Sequence, residues 1–160
     1  MSGIQYNADE IFAIGVEIEK NGEAFYKKAF DFAKDKEIKG LFLKLANMES
    51  DHIKIFEKLR NEISESDIFD PDNEAQRYLK AIADTHIFLV NKDISSLIDK
   101  CNTPSDVLKM AVTLEKDSVV LYSSMKKIVP ENLGKESINR LIVEELEHVA
   151  MLSEYLEQIK

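Results

Sequence analysis

The chain has 160 residues, 44% of them hydrophobic and 32% charged, the balance of a globular chain rather than a disordered one. Only 5 Gly and 3 Pro punctuate it, too few for the turns of most all-β folds; the single cysteine, Cys101, excludes an internal disulfide, a zinc ribbon and a four-cysteine iron site. The balance of 21 basic against 30 acidic side chains, a net −9, argues against a nucleic-acid surface or a polybasic membrane patch.

Residues 8–34 carry Ile11, Ile14, Ile18, Phe25, Ala29 and Phe32 at helical spacing, with Asn7 or Asp9 as the expected cap. The polar break Lys34-Asp35-Lys36 is short, so the second helix, about 37–63, returns antiparallel with Leu41, Leu45, Met48, Ile55 and Leu59 inward. A polar stretch from Ser64 to Asn73, with Pro71, interrupts the pattern. A shorter helix is expected from Glu74 to about Val90, and a small one near 94–100. Thr103-Pro104-Ser105-Asp106 reads as a helix start, with Pro in the first turn and an acid three past the Thr. That helix continues to about Ile128, Pro130 breaks it, and a last helix spans about 133–158. No apolar run approaches the ~18 residues of a membrane span. No basic residue precedes Lys20, and no signal-like apolar core is present. A cytoplasmic protein with neither nucleic acid nor membrane as partner is expected.

Two of the three histidines sit in one motif, Glu49-x-x-His52 and Glu145-x-x-His148. On a helix, positions i and i+3 share a face with Cβ atoms ~5–6 Å apart, so a carboxylate and an imidazole there can ligate one ion. A single such motif is more often a surface pair. The upstream helices decide between the two: Glu19 precedes Tyr26 by seven, Glu115 precedes Tyr122 by seven, and all of these positions recur at one offset of 96 residues. Lys20 and Lys116 match as well. This is an internal duplication. It predicts an all-α, antiparallel four-helix bundle built from two repeated helix pairs, 8–63 and 104–158, with an extra helical segment, 66–103, between them in a single domain.

Four buried carboxylates without counter-charge are prohibitive. Two divalent cations supply +4 against their −4, so four Glu and two His predict a dinuclear centre, its ions roughly 3.5–4 Å apart and bridged by two of the carboxylates. The donor set suits iron or manganese, with zinc as an alternative occupant. Gly15 and Gly22 flank Glu19, and Ala111 and Ser118 flank Glu115; such small residues leave room beside a carboxylate or allow close helix packing. Tyr26 and Tyr122 can bond a carboxylate across the bundle. Glu17, Asp51 and Glu147 stand two residues from a ligand, about 200° around the helix, and face water. Glu144 is about 100° from Glu145, between the two faces. His86 breaks the repeat and reads as an ordinary polar or interface residue.

The stretch Ile18-Glu19-Lys20-Asn21-Gly22-Glu23-Ala24-Phe25-Tyr26 with Met48-Glu49-Ser50-Asp51-His52 resembles the first helix pair of the rubrerythrin-type di-iron domain, within the ferritin-like superfamily. Leu114-Glu115 through Tyr122 with Glu144-Glu145-Leu146-Glu147-His148 resembles the second pair. The likeness covers nearly the whole chain outside 66–103. It implies a ferritin-like bundle and a non-haem centre of two iron ions that reacts with peroxide or dioxygen. By that resemblance Glu19, Glu49, His52, Glu115, Glu145 and His148 are its ligands.

Two departures shape the expected activity. Full rubrerythrins append a rubredoxin domain with four cysteines, and this chain has only Cys101, so electrons come from a separate donor such as a rubredoxin. Ser118 stands where rubrerythrins carry an additional Glu, which leaves the symmetric ligand set that bacterioferritins also use. Ser50 follows Glu49, where a bacterioferritin has its haem-ligating Met. The first expectation is a rubrerythrin-like peroxidase or oxidase of oxidative-stress type, with Tyr26 and Tyr122 orienting carboxylates and stabilising oxygen intermediates. The alternatives are iron oxidation or storage of ferritin or bacterioferritin type, and a structural or regulatory metal. A homodimer or higher homo-oligomer is expected, for which the apolar run Ile87-Phe88-Leu89-Val90 supplies one packing surface; the same run can instead fold back onto its own bundle.

Overall fold

The computed structural model describes residues 8–63, 74–85 and 93–159. Helices α1 (Ala8–Phe32) and α2 (Lys36–Glu62) form one antiparallel pair, and α5 (Pro104–Ile128) and α6 (Lys135–Gln158) form the other. Between them come α3 (Glu74–Thr85), packed on α5, and the short α4 (Ser95–Asp99), packed on α1. The expected bundle of two repeated pairs is the fold, and no strand occurs among the described residues. None of their helices is long and apolar enough to cross a membrane. The 64–73 stretch, His86 and the Ile87–Val90 run lie outside the described residues, as does the expected extension of the third helix past Thr85.

The ends of the helices follow from local chemistry. Asp35 caps α2, its carboxylate accepting from the backbone N–H groups of Glu37 (2.9 Å) and Ile38 (3.1 Å). Thr103 and Asp106 close a reciprocal capping box at the start of α5, with Pro104 at its first position. A 3₁₀ turn (Glu131–Leu133) and Gly134 bridge to α6. Gly134 adopts φ = 117°, a backbone angle that strains any side chain, and a Cβ there would also push Leu59 Cδ2, 2.6 Å away, aside.

Three expectations are corrected. Asp9 is not a cap: it lies inside the first turn of α1 and accepts from Arg60 Nε (2.7 Å) and Nη2 (3.0 Å), a forked contact tying the start of α1 to the end of α2. Asn7 lies outside the described residues. Met48 and Ile55 are half-buried rather than inward, because Phe42 and Phe56 occupy the central stripe of α2.

The core runs the length of the bundle, and aromatic rings pack around both buried tyrosines. Tyr26 stacks on Phe42 at 6.1 Å and meets Phe25 edge-on at 5.4 Å, while Phe56 lies 5.3 Å from Tyr122. Burial of each such ring contributes about 1.5–3 kcal/mol. The same rings wall in the polar residues described next.

Candidate metal centre

Each long helix delivers two functional side chains to the bundle axis. Glu19 and Tyr26 project from α1, Glu49 and His52 from α2, Glu115 and Tyr122 from α5, and Glu145 and His148 from α6. The spacings explain it: three residues turn a helix by about 300° and seven by about 700°, so each pair shares one stripe. All eight are buried, none more than 4% exposed. Glu17, Asp51 and Glu147 are exposed, as their angular offset predicts.

The six acidic and imidazole groups form two overlapping sets. Glu19, Glu49, His52 and Glu145 make one, and Glu49, Glu115, Glu145 and His148 the other; within each, one ligand atom per residue lies within 4.8 Å of all the rest. Glu49 and Glu145 belong to both, which is the arrangement of bridging carboxylates. His52 Nδ1 faces Glu145 Oε1 at 3.0 Å and Glu19 Oε2 at 3.3 Å. His148 Nδ1 faces Glu145 Oε2 at 3.2 Å, and Glu49 Oε1 and Glu115 Oε1 at 3.3 Å. The two rings stack at 5.6 Å, 12° from parallel.

These contacts are close, yet several of the atoms are not satisfied by one another. Glu19 Oε2, Glu49 Oε1, both oxygens of Glu145 and the Nδ1 atoms of His52 and His148 are fully buried without a hydrogen-bond partner in the protein. Buried polar groups are otherwise nearly always paired. Unpaired lone pairs that converge from four helices fit cations of the kind their donor chemistry binds. The hydroxyls complete the frame by crossing between repeats: Tyr26 donates to Glu115 Oε1, and Tyr122 donates to Glu19 Oε1.

The electrostatics divide the acids into two kinds. Burial, then the neighbouring Glu19, Glu145 and Glu115 charges, push Glu49 well above the carboxylate range; burial, then Glu115 and Glu19, do the same to Glu145. Burial also works against ionisation of Glu19, but Glu49, His52 and the Tyr122 hydroxyl beside it bring it down to about 2. Glu115 is likewise lowered, its burial outweighed by Glu145, His148 and Tyr26. Burial disfavours charge on the imidazoles, but the flanking carboxylates lift His52 to about 11 and His148 to about 10. Without metal, protons on Glu49, Glu145 and both histidines balance the charge of the site to zero. Two divalent ions in place of those four protons give zero again.

The small residues beside Glu19 act differently from one another. A Cβ at Gly15 would meet the Phe56 ring at 2.4 Å, so this glycine serves helix packing rather than space for ions. A Cβ at Gly22 would stand 2.7 Å from Glu49 Oε2, so its absence is what seats that carboxylate. Ser118, the counterpart of Gly22, is buried with its hydroxyl donated to the Leu114 carbonyl at 3.1 Å.

Glu144 is the residue that periodicity leaves unassigned. Its Oε2 lies 2.6 Å from His52 Nε2, on the far side of the ring from the carboxylate cluster. The readable signal is a break in the duplication, since the residue 96 positions earlier is Met48.

The family model for rubrerythrin matches residues 10–99. The match includes most of the segment between the pairs, which the motif likeness left out, and ends before the second pair. A solved ferritin-like diiron-carboxylate protein from Thermotoga maritima superposes with a TM-score of 0.70 at 25% identity, over 99% of each chain. None of the curated proteins matches. The two helix pairs thus constitute a ferritin-like fold, the likeness running over 99% of both chains.

Proposed function

The chain belongs to the rubrerythrin family, and from that premise we propose that it is a non-haem di-iron carboxylate protein that reduces hydrogen peroxide or dioxygen with electrons from a separate donor. The observation that carries the reading is the pair of overlapping ligand sets sharing Glu49 and Glu145. Glu19, Glu49, His52 and Glu145 would hold one ion, and Glu49, Glu115, Glu145 and His148 would hold the other. Manganese fits the same donors, and zinc does so without redox chemistry. When bound, a ferrous pair would supply two electrons, which with two protons would suffice to convert one hydrogen peroxide into two waters.

The chain's own residues hold the geometry in which this happens. Tyr122 fixes one oxygen of Glu19 and leaves Oε2 turned to the cluster. Tyr26 donates to Glu115 from the opposite repeat, here to Oε1, the oxygen that also faces His148 Nδ1. Burial and the neighbouring carboxylates keep both phenols protonated and available as donors. The Phe25, Phe42 and Phe56 rings packed around the tyrosines exclude bulk water. In this reading the electrons arrive from a donor with its own redox centre, such as a rubredoxin; Cys101 itself is buried. The working unit in this reading is a homodimer or higher homo-oligomer in the cytoplasm.

The test is anaerobic reduction of the iron-loaded protein followed by one equivalent of peroxide. Reoxidation within seconds, followed by absorbance, is expected; ferrous iron that stays unchanged sinks the reading. A second reading, iron oxidation coupled to storage, draws on the symmetry of the ligand set, in which a buried serine, Ser118, and not a further carboxylate follows Glu115 by three residues. Native mass separates the two: a dimer or tetramer supports the redox protein, and a shell of about 24 subunits the store.

A further inference from the structure

Both histidines turn Nδ1 toward the carboxylate cluster. An imidazole that ligates through Nδ1 must carry its proton on Nε2, and what Nε2–H bonds to fixes that tautomer and the ring's orientation. Here the two repeats part company. His52 Nε2 sits 2.6 Å from Glu144 Oε2. Glu144 is 45% exposed, so it accepts this bond while water solvates the rest of its charge. His148 Nε2 is fully buried and has no hydrogen-bond partner in the protein. The position that the duplication relates to Glu144 is Met48, whose thioether is a weak acceptor at best.

We propose that Glu144 is a positioning residue for His52 that makes the two metal positions unequal, the one at His52 binding more tightly than the one at His148. The proposal rests on the reading of the six residues as ligands. Its physical content is that the charged acceptor strengthens His52 as a donor to the ion, whereas His148 must ligate with its Nε2–H unsatisfied, which penalises the tautomer it needs. Outer partners of this kind change metal affinity about 10–100-fold. The duplication therefore builds two similar sites, and one substitution between the repeats ranks them.

The experiment is calorimetric titration of the metal-free protein with Co(II) at neutral pH. Wild type should take two equivalents in two steps at least about tenfold apart. E144A should weaken the tighter step about 10–100-fold and bring it to the level of the other, while E144Q, which keeps an oxygen acceptor without the charge, should recover part of the loss. Because Glu144 is half-exposed, both variants should keep the wild-type circular dichroism.

Two backgrounds locate the effect. With H148A, the ion that remains should weaken on adding E144A; with H52A, it should not respond. A response in the H52A background, equal steps in wild type, or E144Q as damaging as E144A overturns the proposal while leaving the dinuclear site standing. Fewer than two Co(II) ions per wild-type chain overturns the site itself, and the role of Glu144 with it.

Discussion

Replacing Gly22 by Ala separates stability from metal binding more cleanly than any ligand deletion. The added Cβ stands 2.7 Å from Glu49 Oε2 and 3.3 Å from its Cδ, against ordinary contact from 3.4 Å outward. The carboxylate must therefore retreat by about 0.7 Å, more than the ~0.5 Å tolerance within which a preorganised site works. The atom in the way is the end of a side chain, not backbone, so the retreat is inexpensive. Ala in a helix interior is favoured over Gly by about 0.5–1 kcal/mol. The metal-free variant should melt at or slightly above the wild-type temperature. Its metal binding should weaken at both positions, because Glu49 belongs to both ligand sets, with a loss on the order of tenfold or more for a displaced ligand. Thermal melts of stripped protein and Co(II) titration read the two effects separately. Wild-type affinity at both positions, or a loss of more than about 2 kcal/mol in the stripped protein, refutes the reasoning.

Three further outcomes follow from the charges and hydrogen bonds of the site. Loading two divalent ions near pH 7 should release about four protons, from Glu49, Glu145, His52 and His148, measurable by titration in a weakly buffered solution; release of one or none contradicts the protonation pattern. The stripped protein should lose stability as pH rises above neutrality. The contribution of His52, complete below its ordinary value of 6.5, disappears as pH climbs toward about 11, and the raised Glu49 and Glu145 act in the same direction. Metal-loaded protein should lack that slope, which denaturant midpoints between pH 6 and 9 would reveal. Tyr122→Phe leaves Glu19 Oε1 without its hydroxyl donor. It should cost about 1–3 kcal/mol in the stripped protein, read by chemical denaturation, and no change there argues that the bond is not made.

What could be read from the sequence follows the duplication closely. The shared offset of 96 residues fixes which helices pair and which side chains meet, because residues on one stripe of a helix must face the same partner. Where a residue acts across the bundle without a counterpart, that argument gives no purchase. Glu144 bonds a histidine on another helix and is matched by Met48, so periodicity does not mark it as part of the site, and the repeat marks it only as a place where the two halves differ. Asp35 reads as one charge in a Lys-Asp-Lys run, yet its carboxylate starts α2. Phe56 and Ile55 differ by a single 100° step, and only packing against Gly15 and Tyr122 selects the aromatic residue for the core. Asp9 illustrates the opposite case: its residue type suits a cap, but Arg60 claims its carboxylate from the far end of α2.

The central claim is that six residues from two repeated helix pairs hold two metal ions in one chain, and the most direct test is the iron content of protein loaded anaerobically and then desalted. The account predicts two iron ions per chain. One per chain, or none, contradicts it.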